Sequence, residues 1–396
     1  MLRFSLLCAL ICLTSVAEPT PPWGFFGHRR INRLATFTLP PEMMPFFRAS
    51  IDYLAEHAVD PDKRRYASEH EAVRHYIDLD RWGSLPFPEL PRTYVDALMK
   101  HAIIHTVNGP GDTVHWRQDT LIGDRVLLIS RDHTFDLPHD TLRQLWYSTL
   151  LPALRAGEGS VPADSLRAAG FPEPILSAGV TDRFSESGIL PYYLAAHHRQ
   201  LTQAFVDLDA DRILQLSAEI GHYIGDAYVP LHTTENYNGQ LTGQTGIHAF
   251  WESRLPELFA DEEFDYFVGA AEYVAEPNDF YWDVVLGSHA LVDSVLHTER
   301  RLREAFPADR QWCTEERLGR LVNTQCTEFA RAWSEAMDGM VEQRFRAAIH
   351  GVGSVWYSCW VDAGQPDLGV LFPTESLNVP DEPTASAKPA DSRPHE

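Results

Sequence analysis

Long apolar runs are missing from this 396-residue chain except at its very start. A transmembrane helix needs roughly 20 predominantly apolar residues, so no polytopic helical membrane protein is encoded. Basic residues are also scarce, with 33 Lys and Arg against 56 Asp and Glu and a formal net charge of −23. Such a surface repels nucleic acid and anionic lipid at long range, which weighs against a protein that coats DNA. An enzyme that grips a phosphate only inside a metal site stays open. Cysteine is sparse, and no pair has CxxC spacing, which argues against a thiolate zinc site. Strand signals are few, RVLLIS being the best. Neither an internal repeat nor a clear interdomain linker is present.

The one apolar run, Phe4 to Leu13, follows Arg3 and precedes Ser15-Val16-Ala17, a small-x-small cleavage pattern. Residues 1–17 therefore read as a secretory signal peptide, and the protein as exported to the periplasm or the exterior. Cys313, Cys326 and Cys359 remain after cleavage. In an exported protein one disulfide can form, and the short gap between Cys313 and Cys326 favours that pair, although sequence leaves the pairing open.

Helical periodicity dominates the remainder of the chain. RRINRLATFTL, EAVRHYIDL, TLRQLWYSTLLPALRAG, LPYYLAAHHRQLTQAFVDL and ADRILQLSAEIGHYIGDAYV carry apolar residues at three- and four-residue spacing. The same pattern continues through ERLGRLVNTQCTEFARAWSEAMDGMVEQRFRAAIHGV and SVWYSCWVDAG. Asp209 and Thr181-Asp182 are candidate helix starts. Pro-, Gly- and Asn-rich stretches such as GSLPFPELPRTY, NGPGDT and ENYNGQLTGQTG read as loops. The expectation is one mostly helical domain over 18–371 with long loop insertions, followed by a polar, Pro-rich tail at 372–396 that reads as disordered.

Chemistry concentrates in GHYIGDAYVPLHTTENYNGQLTGQTGIHAFWES. Here His222-x3-Asp226-x5-His232 is followed by His248-x3-Glu252, and two of the pairs have helical i, i+4 spacing. Imidazole and carboxylate are the zinc ligands when thiolate is not used. Two further stretches join them. WGFFGHRRINRLA holds Trp23 and His28, and EHAVDPDKRRYASEHEAVRHYIDLDRWG holds Asp60 and His75, with Asp62 two positions beyond Asp60. With 18 histidines in the chain, an isolated one is more often a surface or packed residue, and His57, His70, His197 and His198 are read that way.

In order and near-spacing, these motifs resemble the superfamily of bacterial zinc-dependent phospholipases C and single-strand-specific zinc nucleases. The resemblance runs from about Trp23 to Glu252. It implies an all-α fold with a cluster of two or three Zn²⁺ ions at the base of a cleft. By position, Asp60, His75, His222 and Asp226 would hold one zinc, and His232, His248 and Glu252 a second. His28, Asp226 and the backbone of Trp23 would hold the third. In the family the Trp is the first mature residue, whereas here cleavage after Ala17 leaves Glu18-Pro-Thr-Pro-Pro ahead of Trp23.

The same resemblance implies hydrolysis of phosphoric esters, with Asp60 orienting the attacking water as the catalytic carboxylate. Lys63 or Arg64 would offset phosphate charge, and Tyr76 would line the substrate site. Glu252 as last ligand and the short interval between His232 and His248 look like the phospholipase branch. The tight Trp23-to-His28 spacing looks like the nuclease branch. The expected partner is accordingly a phosphodiester, a phospholipid headgroup or single-stranded nucleic acid, with no protein partner implied. An inactive zinc-binding protein and a phosphomonoesterase are the remaining readings.

Overall fold

The computed structural model describes residues 25–371 apart from 66 and 318. The expected signal peptide at 1–17, Trp23 and the expected tail at 372–396 lie outside the described residues.

A helical hairpin forms the centre. Helix Leu190–Val206 turns at residues 207–209 into helix Ala210–Ala227, whose start is capped by Asp209 accepting from the Arg212 amide at 3.0 Å. The second helix is buried on every face from Leu216 onward. Helices Phe25–Ala35, Pro277–His289 and Met340–Asp362 surround this hairpin. Small residues set how closely they approach. Gly221 leaves room for the Asn32 amide, which donates to the Leu54 carbonyl at 3.1 Å and the Ala218 carbonyl at 2.9 Å. From the far side the Trp356 indole donates to the Ser217 carbonyl at 3.0 Å. These bonds fix helix depth and rotation at the position where the histidine-bearing turns begin.

The fold is mostly helical but not all-α, which corrects the expectation. The stretch between His75 and His222 holds a six-stranded antiparallel sheet in the order β4-β3-β2-β1-β6-β5. Its strands are β1 Ile103–Gly109, β2 Asp112–Ile122, β3 Arg125–Ile129, β4 Thr134–Pro138, β5 Ser160–Val161 and β6 Ser177–Thr181. NGPGDT is the β1–β2 turn, and RVLLIS supplies an inner strand rather than an isolated extended segment. Ile104, Val114, Trp116, Val126, Leu128 and Leu137 are buried, and they alternate with more exposed neighbours along their strands. Trp116, Phe135 and Phe171 interlock beneath the sheet, with ring centroids 4.8 to 6.2 Å apart. Single-strand periodicity is weak in such short segments, so the pairing emerges only when the strands meet.

Two other helical expectations fail locally. ERLGRLVNTQ is not helical: β7 Trp312–Arg317 and β8 Arg320–Gln325 form a hairpin closed by the Cys313–Cys326 disulfide. Cys359 is a buried free thiol. EAVRHYIDL is helical only to Ala72, because its later backbone is recruited elsewhere. The Ile77 amide donates to the His232 carbonyl at 2.9 Å and the Asp78 amide to Ser187 at 2.7 Å. Asp182 caps the short 3-10 turn Ser185–Ser187, accepting from the Phe184 and Ser185 amides, rather than a long helix.

A second apolar cluster of Leu231, Ile247, Phe250, Trp251, Leu255, Phe259, Phe329 and Trp333 packs beside the main core. The seam between the two cores is where the histidines gather.

Candidate metal centre

Five histidines and three carboxylates converge at that seam. His28 comes from helix Phe25–Ala35, Asp62 from the short helix Asp60–Arg65, and His75 from the turn after helix Glu69–Ala72. His222 and Asp226 sit one turn apart near the end of the central helix, and His232 in the 3-10 turn Pro230–Thr233. His248 and Glu252 lie on the short helix Ile247–Ala249 and the π-helical turn Phe250–Arg254. All eight are buried except Glu252, whose side chain is 10 % exposed.

The ligand atoms fall into interlocking groups. In one, His75 Nδ1 is 2.9 Å and His222 Nε2 3.3 Å from Asp226 Oδ2, and the two nitrogens are 3.0 Å apart. Asp62 Oδ1 stands 3.8 Å from each of those nitrogens. In another, His248 Nε2 is 2.8 Å and His232 Nε2 3.6 Å from Glu252 Oε2. The third joins His28 Nε2 to Asp226 Oδ1 at 3.4 Å and to Glu252 Oε1 at 3.6 Å. Asp226 and Glu252 thus each offer their two oxygens to different groups.

Backbone carbonyls orient three of the rings. Nδ1 of His222 donates to Ala58 at 2.8 Å, that of His232 to His75 at 2.6 Å, and that of His248 to Tyr237 at 3.3 Å. Each bond holds the proton on Nδ1 and turns Nε2 inward, the arrangement that metal-ligating imidazoles use. His28 stacks on His222 with ring centroids 4.0 Å apart, against a helix face kept bare by Gly225.

Burial and charge act in opposition here. Burial alone would raise the pKa of Asp226, but His222 and His232 outweigh it and hold the carboxyl well below the usual range. Glu252 is likewise depressed despite burial, by the imidazoles of His232, His248 and His28 gathered around it. Burial works against protonated His222, yet Asp226 and Asp62 lift it to about 9. Burial pushes His75 down to about 4, which keeps it a neutral imidazole at neutral pH. Ionised carboxylates packed among buried imidazoles form a donor set suited to a borderline-soft divalent cation. The residues therefore fit zinc.

Of the expected site residues, His28, His75, His222, Asp226, His232, His248 and Glu252 come together. Asp60 does not, and this corrects its expected place in the centre. Asp60 and Asp62 are two positions apart on one helix, so they point to nearly opposite faces. Asp60 turns outward to His57 and to Lys63 Nζ at 3.1 Å, while Asp62 turns in. Lys63, bound to Asp60, faces away with it. Arg64 pairs with Glu219 at 2.9 Å. Tyr76 lines a narrow cleft with Arg65, Leu231, His232, Tyr237 and His248, its hydroxyl donating to the Glu186 carbonyl at 3.1 Å. His197 and His198 are core residues, bonded to the Leu216 carbonyl and the Tyr281 hydroxyl. Residues that sequence reasoning passed over include Arg65, Glu71 and Tyr223. The Glu71-x3-His75 spacing is the signal that was available.

A scan against protein-family models finds no match, and a search of curated protein sequences finds none either.

Proposed function

We propose that this protein is a zinc-dependent hydrolase of phosphoric esters, phospholipase C-like. One observation carries the reading: of four interlocking groups of histidine and carboxylate, two meet at Asp226 and two at Glu252. A shared carboxylate is what holds metal ions within reach of a single phosphate. Zinc bound there would supply Lewis acidity and a water whose pKa is lowered to about 7.

The chain's own residues supply the rest. Asp62, rather than Asp60, is the carboxylate at the centre's edge, so the water-orienting role passes to it. Arg65, 3.7 Å from Asp62 and buried, lines the cleft that opens beside His232 and His248. A guanidinium at that point is a fixed positive charge for a phosphate oxygen, the role expected of Lys63 or Arg64. Tyr76 and Tyr237 line the same cleft. Glu252 as last ligand and the short interval between His232 and His248 favour the phospholipase branch. The close Trp23-to-His28 spacing favours a single-strand nuclease as the second reading.

The test is hydrolysis of phosphatidylcholine and of single-stranded DNA, side by side, by zinc-loaded protein with and without a chelator. Chelator-sensitive release of diacylglycerol supports the first reading, and soluble nucleotides the second. Zinc binding without cleavage of either, or of a nitrophenyl phosphate, would leave an inactive zinc-binding protein and end the hydrolase proposal.

A further inference from the structure

A second pocket, of about 390 Å³ counting its open mouth, shares no lining residue with the cleft beside His232 and His248. It lies among helix Phe25–Ala35, the end of helix Ala210–Ala227, the turn Phe250–Arg254 and helix Met340–Asp362. That is the small end of ligand pockets, which run from about 300 to 1,000 Å³. Ile31, Val229, Pro256, Val341, Phe345 and Ala348 make its walls mostly apolar. Two donors interrupt them.

The first is Arg344. Its guanidinium stands over the Tyr228 ring at 4.7 Å and donates only to neutral acceptors. Nε reaches the Tyr228 carbonyl at 2.9 Å, and Nη2 reaches the Val284 carbonyl at 3.4 Å and the Ser288 hydroxyl. Among the described residues Nη1 has no acceptor and no carboxylate pairs with this arginine. Burial accordingly pushes its pKa down, whereas in Arg64 burial is outweighed by Glu219 and Glu71. Arginine stays charged in either case, so a half-buried cation is left without a counter-ion. The second donor is Trp251, 3 % exposed, whose indole Nε1–H meets no acceptor. Glu252 is the one acid on the pocket wall, and His28, His232 and His248 already surround it.

We propose that this pocket binds a short aliphatic carboxylate, with its charge on Arg344 and the Trp251 indole N–H and its chain against Val229, Phe345 and Ala348. Nη1 and the indole N–H supply one donor for each carboxylate oxygen. A single charge costs less to bury than a phosphate dianion, and the apolar walls favour a hydrocarbon tail over a small hydrated anion. The site stands apart from the metal reading, since neither donor belongs to the centre.

Octanoate is the probe, titrated into the full chain, with octanol as its uncharged analogue and inorganic phosphate as an anion without a tail. Calorimetry reads affinity. The Trp251 indole signal in a nitrogen-15 NMR spectrum, assigned by its loss in Trp251→Phe, reads the place. Octanoate should bind once per chain and move that signal. Octanol should bind more weakly by about 10-fold or more, and phosphate should leave the signal in place. Arg344→Met, which removes the charge, should weaken octanoate by about 10-fold or more. Because Arg344 also ties Tyr228 to Ser288, Ala348→Leu supplies a second variant: it fills the pocket without touching either donor, and should abolish binding with circular dichroism and Tm retained. A Trp251 signal that octanoate leaves unmoved overturns the proposal, as when the chain's own residues ahead of Phe25 close the pocket. Octanol or phosphate matching octanoate does so too, as does parental octanoate affinity in Ala348→Leu or in folded Arg344→Met.

Discussion

Replacing Gly225 by Ala is the most direct probe of how the helices build the centre. The new methyl carbon would stand 2.9 Å from His28 Nδ1 and 3.2 Å from its Cε1. Both distances are tighter than ordinary van der Waals contact, so the ring must give by about 0.6–1.1 Å to reach a relaxed contact of about 3.5–4.0 Å. The ring cannot move freely. It is stacked on His222, and its Nε2 lies between Asp226 and Glu252. Overpacking of this kind costs about 1–3 kcal/mol, offset by about 1 kcal/mol for Ala over Gly in a helix interior. The net destabilisation is then about 0–2 kcal/mol, and at about 2–4 °C per kcal/mol the Tm falls by no more than about 8 °C. Function is hit harder than stability, because His28 belongs to the groups with Asp226 and Glu252 and with Asp62 and His222, but not to the pair His232 and His248. Elemental analysis after dialysis should show one zinc fewer per chain, with the remainder bound as in the parent. Gly287→Ala is the control, since its methyl meets only Arg344 Nη1 at an ordinary 3.9 Å. It should leave zinc content unchanged. A Gly225→Ala protein with full zinc, parental affinity and an unchanged or higher Tm would refute the packing argument.

Three further outcomes are expected. On the proposed function, Asp62→Asn should weaken zinc binding and phosphoester hydrolysis by at least about 10-fold, whereas Asp60→Asn, which loosens only an outward pair with Lys63 and His57, should change both less than about 2-fold; the reverse order would restore Asp60 to the centre. Glu71 is held below its ordinary value of 4.5: burial opposes ionisation, and the Tyr223 hydroxyl with Arg64 and Arg74 outweighs it. Its contribution to stability is therefore fully present above pH 4.5 and is lost as pH falls through its lower folded value, so urea midpoints of Glu71→Gln measured downward from pH 5 should fall less steeply than the parent's. Replacing Cys313 and Cys326 together by Ser should cost about 3 kcal/mol through the freed loop, read as a lower urea midpoint. Arg254, two residues past Glu252, bonds the Gln325 carbonyl and Glu315 at the base of the hairpin, so that variant should also weaken zinc at His248 and Glu252.

What sequence alone determined here is what local spacing can carry. The i, i+4 pairs His222–Asp226 and His248–Glu252 place their side chains on one helical face whatever the rest of the chain does. The Asp209 cap and the long amphipathic helices follow from the same local rules, and the separation of the cysteines pointed to the bridge that forms. Tertiary structure decided what needs a partner. The six strands become a sheet only when paired, and ERLGRLVNTQ becomes a hairpin because its ends are joined at Cys313 and Cys326 and bonded by Arg254. EAVRHYIDL stops being helical because His232 and Ser187 take its amide protons. The choice between Asp60 and Asp62 is of the same kind. Both are acids on one short helix, and only the docking of that helix against Ala58, His75 and His222 turns one into the core and the other to water.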